Sequence, residues 1–225
     1  MNKNWTSIRI GDVLVECGRP AIIGSYKAKT SESLLKALQK KKEEADLVEI
    51  RYDLIPSRSE RDLEKLLSTL GSMQLTYIFT YRTENAEEAE RYYGIATDSN
   101  APVIDVDMRL PGIKSGKSRR FSSFHGDHAS MSQQLLERLL SSRPDVVKLG
   151  ISYQNRQELL FDISMIANEY DGIDRPLCFS PIGRSGFMRA VAAYFISDFV
   201  YASGSGKTAL GQLTVKQYRS IFGLY

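Results

Sequence analysis

The residue best placed to do chemistry is Lys148, set in Asp145-Val146-Val147-Lys148-Leu149-Gly150-Ile151, an apolar, β-branched run that reads as a buried strand. Burial disfavours an ammonium. It can lower a lysine pKa by several units from about 10.4 and leave a neutral amine able to attack a carbonyl. The commoner use of an isolated lysine is to reach water from an edge strand. A second reactive group stands in Ser123-Phe124-His125-Gly126-Asp127-His128, at the expected end of an earlier strand, where an imidazole can move protons near neutral pH. His125 and His128 are the two histidines of the chain. Together with Asp127 they suggest metal ligands, but a glycine-containing turn lacks the register of HExxH and no second cluster completes a set. The expectation is therefore no metal, with His125 catalytic and His128 incidental.

These groups need a scaffold, and the pattern that supplies it is an alternation of apolar strand-like runs with helix-like runs from Pro20 onward. Strands are expected to begin near Ala21, Asp46, Leu75, Val103, Arg120, Asp145, Pro176 and Phe199. Helices are expected over 31–45, 61–70, 86–94, 130–142, 155–170, 186–196 and 214–222. Such a count predicts a (β/α)8 TIM barrel formed by one domain, 1–225. The fourth unit is the weak one: 110–118 carries Pro111, Gly112 and Gly116, so its helix is short or missing. Ahead of the first strand, two short β runs about Gly11-Asp12 predict a hairpin, roughly 6–16, closing the lower mouth.

Residues i and i+2 of a strand share a face, which sorts the side chains further. Glu49, Arg51 and Asp53 oppose Val48, Ile50 and Tyr52. Thr80 and Arg82 oppose Phe79 and Tyr81, Asp105 and Asp107 oppose Ile104 and Val106, and Lys148 opposes Val147 and Leu149. An antiparallel sheet with one wet face shows the same alternation, but helices between successive strands would have to cover the apolar face. In a barrel the charged face turns to the axis, so Glu49, Arg51, Arg82, His125 and Lys148 converge at the upper mouth, joined by Ser25.

At 42% hydrophobic residues and a net charge of +3, with the basic residues scattered, nothing calls for nucleic acid or membrane as a partner. Cys17 and Cys178 form no CxxC pair, and no segment has the length of a signal peptide or membrane span, so a cytoplasmic protein is expected. Gly204-Ser205-Gly206-Lys207-Thr208 is similar to a phosphate-binding loop but has Tyr201 where the motif needs glycine, and reads as a glycine-rich loop after the last strand.

Taken in order, Ile23-Gly24-Ser25, Glu49-Ile50-Arg51-Tyr52-Asp53, Phe79-Thr80-Tyr81-Arg82-Thr83, Ile104-Asp105-Val106-Asp107, Ser123-Phe124-His125, Val147-Lys148, Gly183 to Arg189 and Thr208-Ala209-Leu210-Gly211-Gln212 resemble the type I 3-dehydroquinate dehydratases, the Schiff-base enzymes of the shikimate pathway. The resemblance implies a lyase without cofactor, in which Lys148 condenses with the ketone of 3-dehydroquinate and His125 removes a proton and then protonates the leaving hydroxyl. It implies that Arg189 and Gln212 hold the substrate carboxylate with Thr208 nearby, while Ser25, Glu49, Arg51 and Arg82 address the ring hydroxyls and the lysine. The expected partner is this small molecule, with a homodimer as the assembly the reading allows. Where the family has Arg-Thr-x-x-Glu-Gly-Gly-Glu, Arg82-Thr83-Glu84-Asn85 runs into Ala86, and one inserted residue makes Glu87 the expected partner of His125. The span from His125 to Lys148 is slightly short, implying a trimmed fifth helix, and Ser180-Pro181-Ile182-Gly183 replaces the usual Ser-Met-Gly. Competing readings are another lysine Schiff-base barrel of the class I aldolase type and a non-catalytic barrel that binds an anionic metabolite.

Overall fold

The computed structural model describes residues 5–41, 45–73, 75–169, 173–183 and 188–223. A hairpin, β1 (Ser7–Ile10) and β2 (Val13–Glu16), precedes eight parallel strands: β3 (Ala21–Tyr26), β4 (Leu47–Arg51), β5 (Tyr77–Thr80), β6 (Val103–Asp107), β7 (Arg119–Asp127), β8 (Val146–Tyr153), β9 (Leu177–Gly183) and β10 (Phe199–Ser203). The sheet runs β10-β3-β4-β5-β6-β7-β8-β9, a nearly closed TIM barrel. Between its two end strands the seam is held by a backbone bond, Asp198 N to Leu177 O at 2.7 Å, and by side chains. Ser197 Oγ accepts from Phe179 N at 2.8 Å and donates to Phe199 O at 2.8 Å, while Asp198 takes Leu177 N on its carboxylate at 2.9 Å.

The helices are α1 (Ser31–Lys41), α2 (Glu60–Ser72), α3 (Ala86–Asp98), α4 (Gln133–Ser141), α5 (Arg156–Glu169), α6 (Arg189–Phe195) and α7 (Val215–Phe222). Side-chain caps set several starts. Ser59, Asn85 and Ser132 each accept the N–H three residues on, and Thr214 with Gln217 completes a capping box. No helix forms over 110–118, as its proline and glycines predict. The expected helices over 31–45 and 186–196 extend onto 42–44 and 186–187, and the one over 155–170 onto 170, which lie outside the described residues. Among the described residues no helix is long and apolar enough to cross a membrane.

The strand faces divide as alternation requires. Outward, Val48, Ile50, Phe79, Ile104, Val147 and Leu149 pack under the helices. Inward, Ile23, Leu47, Ile78, Val103, Phe121, Val146, Cys178 and Phe199 form an apolar floor, sealed from below by Trp5, Ile10 and Val15 of the hairpin segment. The hairpin turns at Gly11, whose φ of +57° favours glycine and whose missing Cβ leaves room for Thr76. Two residues further along, each strand replaces its floor residue with a polar one: Ser25, Glu49, Thr80, Asp105, Ser123, Lys148, Ser180 and Tyr201. Seven of these are buried polar or charged groups, and Tyr201 is 5% exposed. The polar layer thus rests on an apolar base.

Candidate active site

Above that polar layer lies a cavity of about 310 Å³, lined among others by Glu49, Arg51, Arg82, His125, Lys148, Arg189, Tyr201, Thr208 and Gln212. It brings together most of the residues that alternation and resemblance single out. Lys148 is 3% exposed but does not stand in an apolar pocket. Its Nζ lies 2.5 Å from Asp105 Oδ2 and 3.3 Å from Glu49 Oε1, and 3.9 Å above the Tyr201 ring. A cation there is answered by two carboxylates and an aromatic face. For Asp105, burial alone would raise the pKa, but Lys148 and then Arg82 outweigh it and hold the carboxyl well below the usual range. Glu49 is likewise lowered against burial, by Lys148 and Arg51. It also accepts from Ser25 Oγ at 2.5 Å and Thr80 Oγ1 at 3.1 Å. Thr208 Oγ1 reaches Ser25 Oγ at 3.0 Å, so the loop after β10 is tied to the lysine through one chain of hydrogen bonds.

His125 meets Arg82, whose Nη1 is 2.6 Å from Nδ1. A guanidinium only donates, so Nδ1 accepts and the ring proton rests on Nε2. Burial first, then the Arg82 guanidinium and Lys148, push the imidazole pKa well below 6.5. The ring fits because β8 carries glycine opposite it: a Cβ on Gly150 would fall 2.5 Å from His125 Cδ2. We expect Arg82→Met to move the acid limb of the kcat/KM profile to higher pH. Neutral His125 is the form able to accept a proton, and losing the neighbouring cation raises the pH at which it protonates. A limb that stays in place would show that another group sets it.

Arg189 is 2% exposed, and burial lowers its pKa. Its Nε donates to Pro181 O at 2.6 Å and Nη2 to Leu210 O at 3.3 Å, and among the described residues no carboxylate pairs with it. A buried guanidinium with only carbonyl partners keeps donors and a charge that suit an anion. Gln212 accepts from Thr208 N at 2.9 Å through its Oε1, leaving its amide donors for a ligand. Arg51 lines the cavity while its fork grips Asp53 at 2.9 and 2.6 Å.

Glu87 is the exception. Asn85 caps α3 by accepting from Glu88 N, which turns Glu88 inward to Tyr81 OH at 2.6 Å and Thr83 Oγ1 at 2.7 Å, and leaves Glu87 exposed to solvent. Glu87 does not line the cavity, and the carboxylate nearest the reactive groups is Asp105. Asp105 and Tyr201 were not among the expected site residues. The alternation that put Asp105 on the inner face was the available signal, whereas nothing local marks Tyr201. His128 faces away, with Nδ1 3.0 Å from Asp162 Oδ1 on α5, so it does not share a site with His125. Among the described residues no group of three or more His, Cys, Asp or Glu side chains could hold a metal ion.

Against known proteins, a family model described as Type I 3-dehydroquinase matches residues 25–225. A 3-dehydroquinate dehydratase of Thermoplasma acidophilum is 33% identical over 96% of this chain and 94% of its own. One from Thermoplasma volcanium is 29% identical over 97% and 95%. Among solved structures, the type I 3-dehydroquinate dehydratase of Clostridium difficile superposes with a TM-score of 0.85 at 17% identity, covering 98% of each chain, a likeness of fold.

Proposed function

The chain belongs to the type I 3-dehydroquinase family, whose reaction is the dehydration of 3-dehydroquinate in the shikimate pathway, and from that premise we propose that it acts through an iminium on Lys148 with His125 moving the protons. The observation that carries this reading is a buried lysine, ion-paired to Asp105, in one cavity with a buried arginine that has no carboxylate partner among the described residues. The lysine offers a nucleophile and the arginine asks for an anion; 3-dehydroquinate supplies a ketone and a carboxylate.

Asp105 takes the ammonium proton through Oδ2, and the freed amine adds to the ketone. The carbinolamine oxygen then leaves as water with the proton returned by Asp105, so that ammonium and ketone become iminium and water with no net proton change. The iminium draws electrons from the adjacent C–H bond. His125 accepts that proton, the enamine expels the neighbouring hydroxyl, and the imidazolium protonates it as it departs. In the free site Arg82 occupies Nδ1, so His125 becomes a base when that guanidinium turns to a substrate hydroxyl and Nδ1 is free to carry the proton. Arg189 grips the substrate carboxylate with its remaining donors, assisted by the Gln212 amide, while Ser25, Glu49, Arg51 and Thr208 orient the ring. Glu87 has no part in this scheme, and Asp105 takes the place of the expected carboxylate. The proposed setting is the cytoplasm, with the small-molecule substrate as partner.

The experiment is reduction with borohydride during turnover of 3-dehydroquinate, followed by peptide mass mapping. The expected adduct is on Lys148. An adduct on another lysine, or none while the conjugated enone of the product still appears, sinks the mechanism.

A further inference from the structure

Behind Arg82 lies a second cavity, of about 210 Å³, bordered by Thr83, Glu84, Asp105, Asp107, Leu110 and Ser123. Arg82 and Arg109 line both cavities, so the two share a wall. Its inner residues are unusual in one respect. Asp105 Oδ1 and Ser123 Oγ are both buried polar atoms without a hydrogen-bond partner among the described residues. Asp105 spends Oδ2 on Lys148, and Ser123 is the register partner of Lys148 on the strand between them. Buried polar atoms are ordinarily satisfied, and a roomy polar cavity satisfies them with water. An apolar pocket would do neither. Volume is sufficient for several molecules, since each occupies about 30 Å³ in the liquid.

We propose that this second cavity is a water port for the Lys148 imine, a reading that rests on the mechanism proposed above. Forming the iminium expels the ketone oxygen as one water, and releasing the product consumes one. While the substrate ring fills the front cavity, water leaves and returns past Asp105, held by its Oδ1 and by Ser123 Oγ. In hydrolysis, water from this side adds to the iminium carbon and gives its proton to Asp105. The carbinolamine then collapses, the C–N bond breaks, and Lys148 regains the proton as the ketone re-forms. Atoms and charge balance in both directions, with no other reactant.

The test follows the ketone oxygen. Wild-type enzyme is incubated with 3-dehydroshikimate in H2(18)O, label in the carbonyl is read by mass spectrometry, and the imine present during turnover is trapped with borohydride. Ser123→Val fills the cavity from within and Leu110→Phe narrows it from the rim, while Ser123→Ala removes the hydroxyl but leaves the space. Losing well-placed water should slow oxygen exchange by about tenfold in both filled variants, and the alanine variant, which keeps the space but loses one of the two groups that hold the water, should fall between them and the wild type. The trapped fraction on Lys148 should stay near that of the wild type, because the port serves the departure and the return of water alike and formation and hydrolysis slow together. A merely structural effect would lower trapping and exchange together. Wild-type oxygen exchange in both filled variants, each shown folded by its melting curve, overturns the port. Absence of a Lys148 adduct in the wild-type enzyme overturns the imine, and the port with it.

Discussion

Lys148→Ala should reduce turnover of 3-dehydroquinate by at least about 10⁴-fold while product binding, measured by calorimetry, persists, because the covalent route is lost but Arg189 and Gln212 remain. The same substitution should also weaken the fold in a pH-dependent way. In the native protein Lys148 is a principal cause that holds Asp105 and Glu49 below their ordinary values of 3.8 and 4.5, so both contribute stability above those values that is lost as pH falls through the lowered ones. Without the ammonium, burial, the largest single influence on each, is expected to outweigh Arg82 and Arg51 and raise both. The variant's carboxylates then favour the folded state only when protonated, below their unfolded values, and that contribution disappears as pH rises through the raised ones. Breaking a buried ion pair typically costs about 3–5 kcal/mol, so the loss in melting temperature should be large at pH 7 and shrink toward pH 4. A variant with near-normal rate makes Lys148 structural. A melting deficit independent of pH would mean that the carboxylates do not depend on it.

His125→Ala should slow the reaction by about 10²–10⁴-fold per proton transfer served, yet leave imine formation intact, since the nitrogen and its proton acceptor lie on β8 and β6. Imine should therefore accumulate. Intact-protein mass spectrometry after borohydride is expected to show a larger adducted fraction than in the wild type under the same conditions, with mass corresponding to unreacted substrate. A variant that neither turns over nor forms an adduct would place His125 in the condensation step instead. Normal turnover would remove it from the chemistry altogether. The two substitutions thus separate forming the iminium from using it.

Much of this site could be read from residue order because a parallel strand carries its message at every second position. Lys148 within Val146-Val147-Lys148-Leu149, and Glu49 between Val48 and Ile50, name both their strand and the face they occupy. The missing helix over 110–118 was equally plain from Pro111 and Gly112. What could not be read depends on angles between elements. Glu87 and Glu88 differ by one step of about 100° around α3, and which of them turns inward is decided by where Asn85 starts the helix. Asp105 was visible on the inner face, but its contact with Lys148 spans 43 positions in sequence and exists only once β7 has been inserted between their strands. For the same reason the apolar surroundings expected of Lys148 proved true of its own strand and false of the space above the floor.

The seam between β9 and β10 divides the barrel mechanically. From β10 round through β3 to β9, neighbouring strands share backbone ladders, so Ser25, Glu49, Asp105, His125 and Lys148 belong to one stiff wall. Arg189 follows β9 and Gln212 follows β10, on opposite banks of the one junction that Ser197 and Asp198 clasp with side chains and a single short backbone bond in place of a ladder. The two groups suited to grip a carboxylate can therefore shift relative to each other by flexing a clasp, without shearing a ladder. The strand pairing therefore puts its give between the two candidate carboxylate contacts and its stiffness behind the lysine and the histidine.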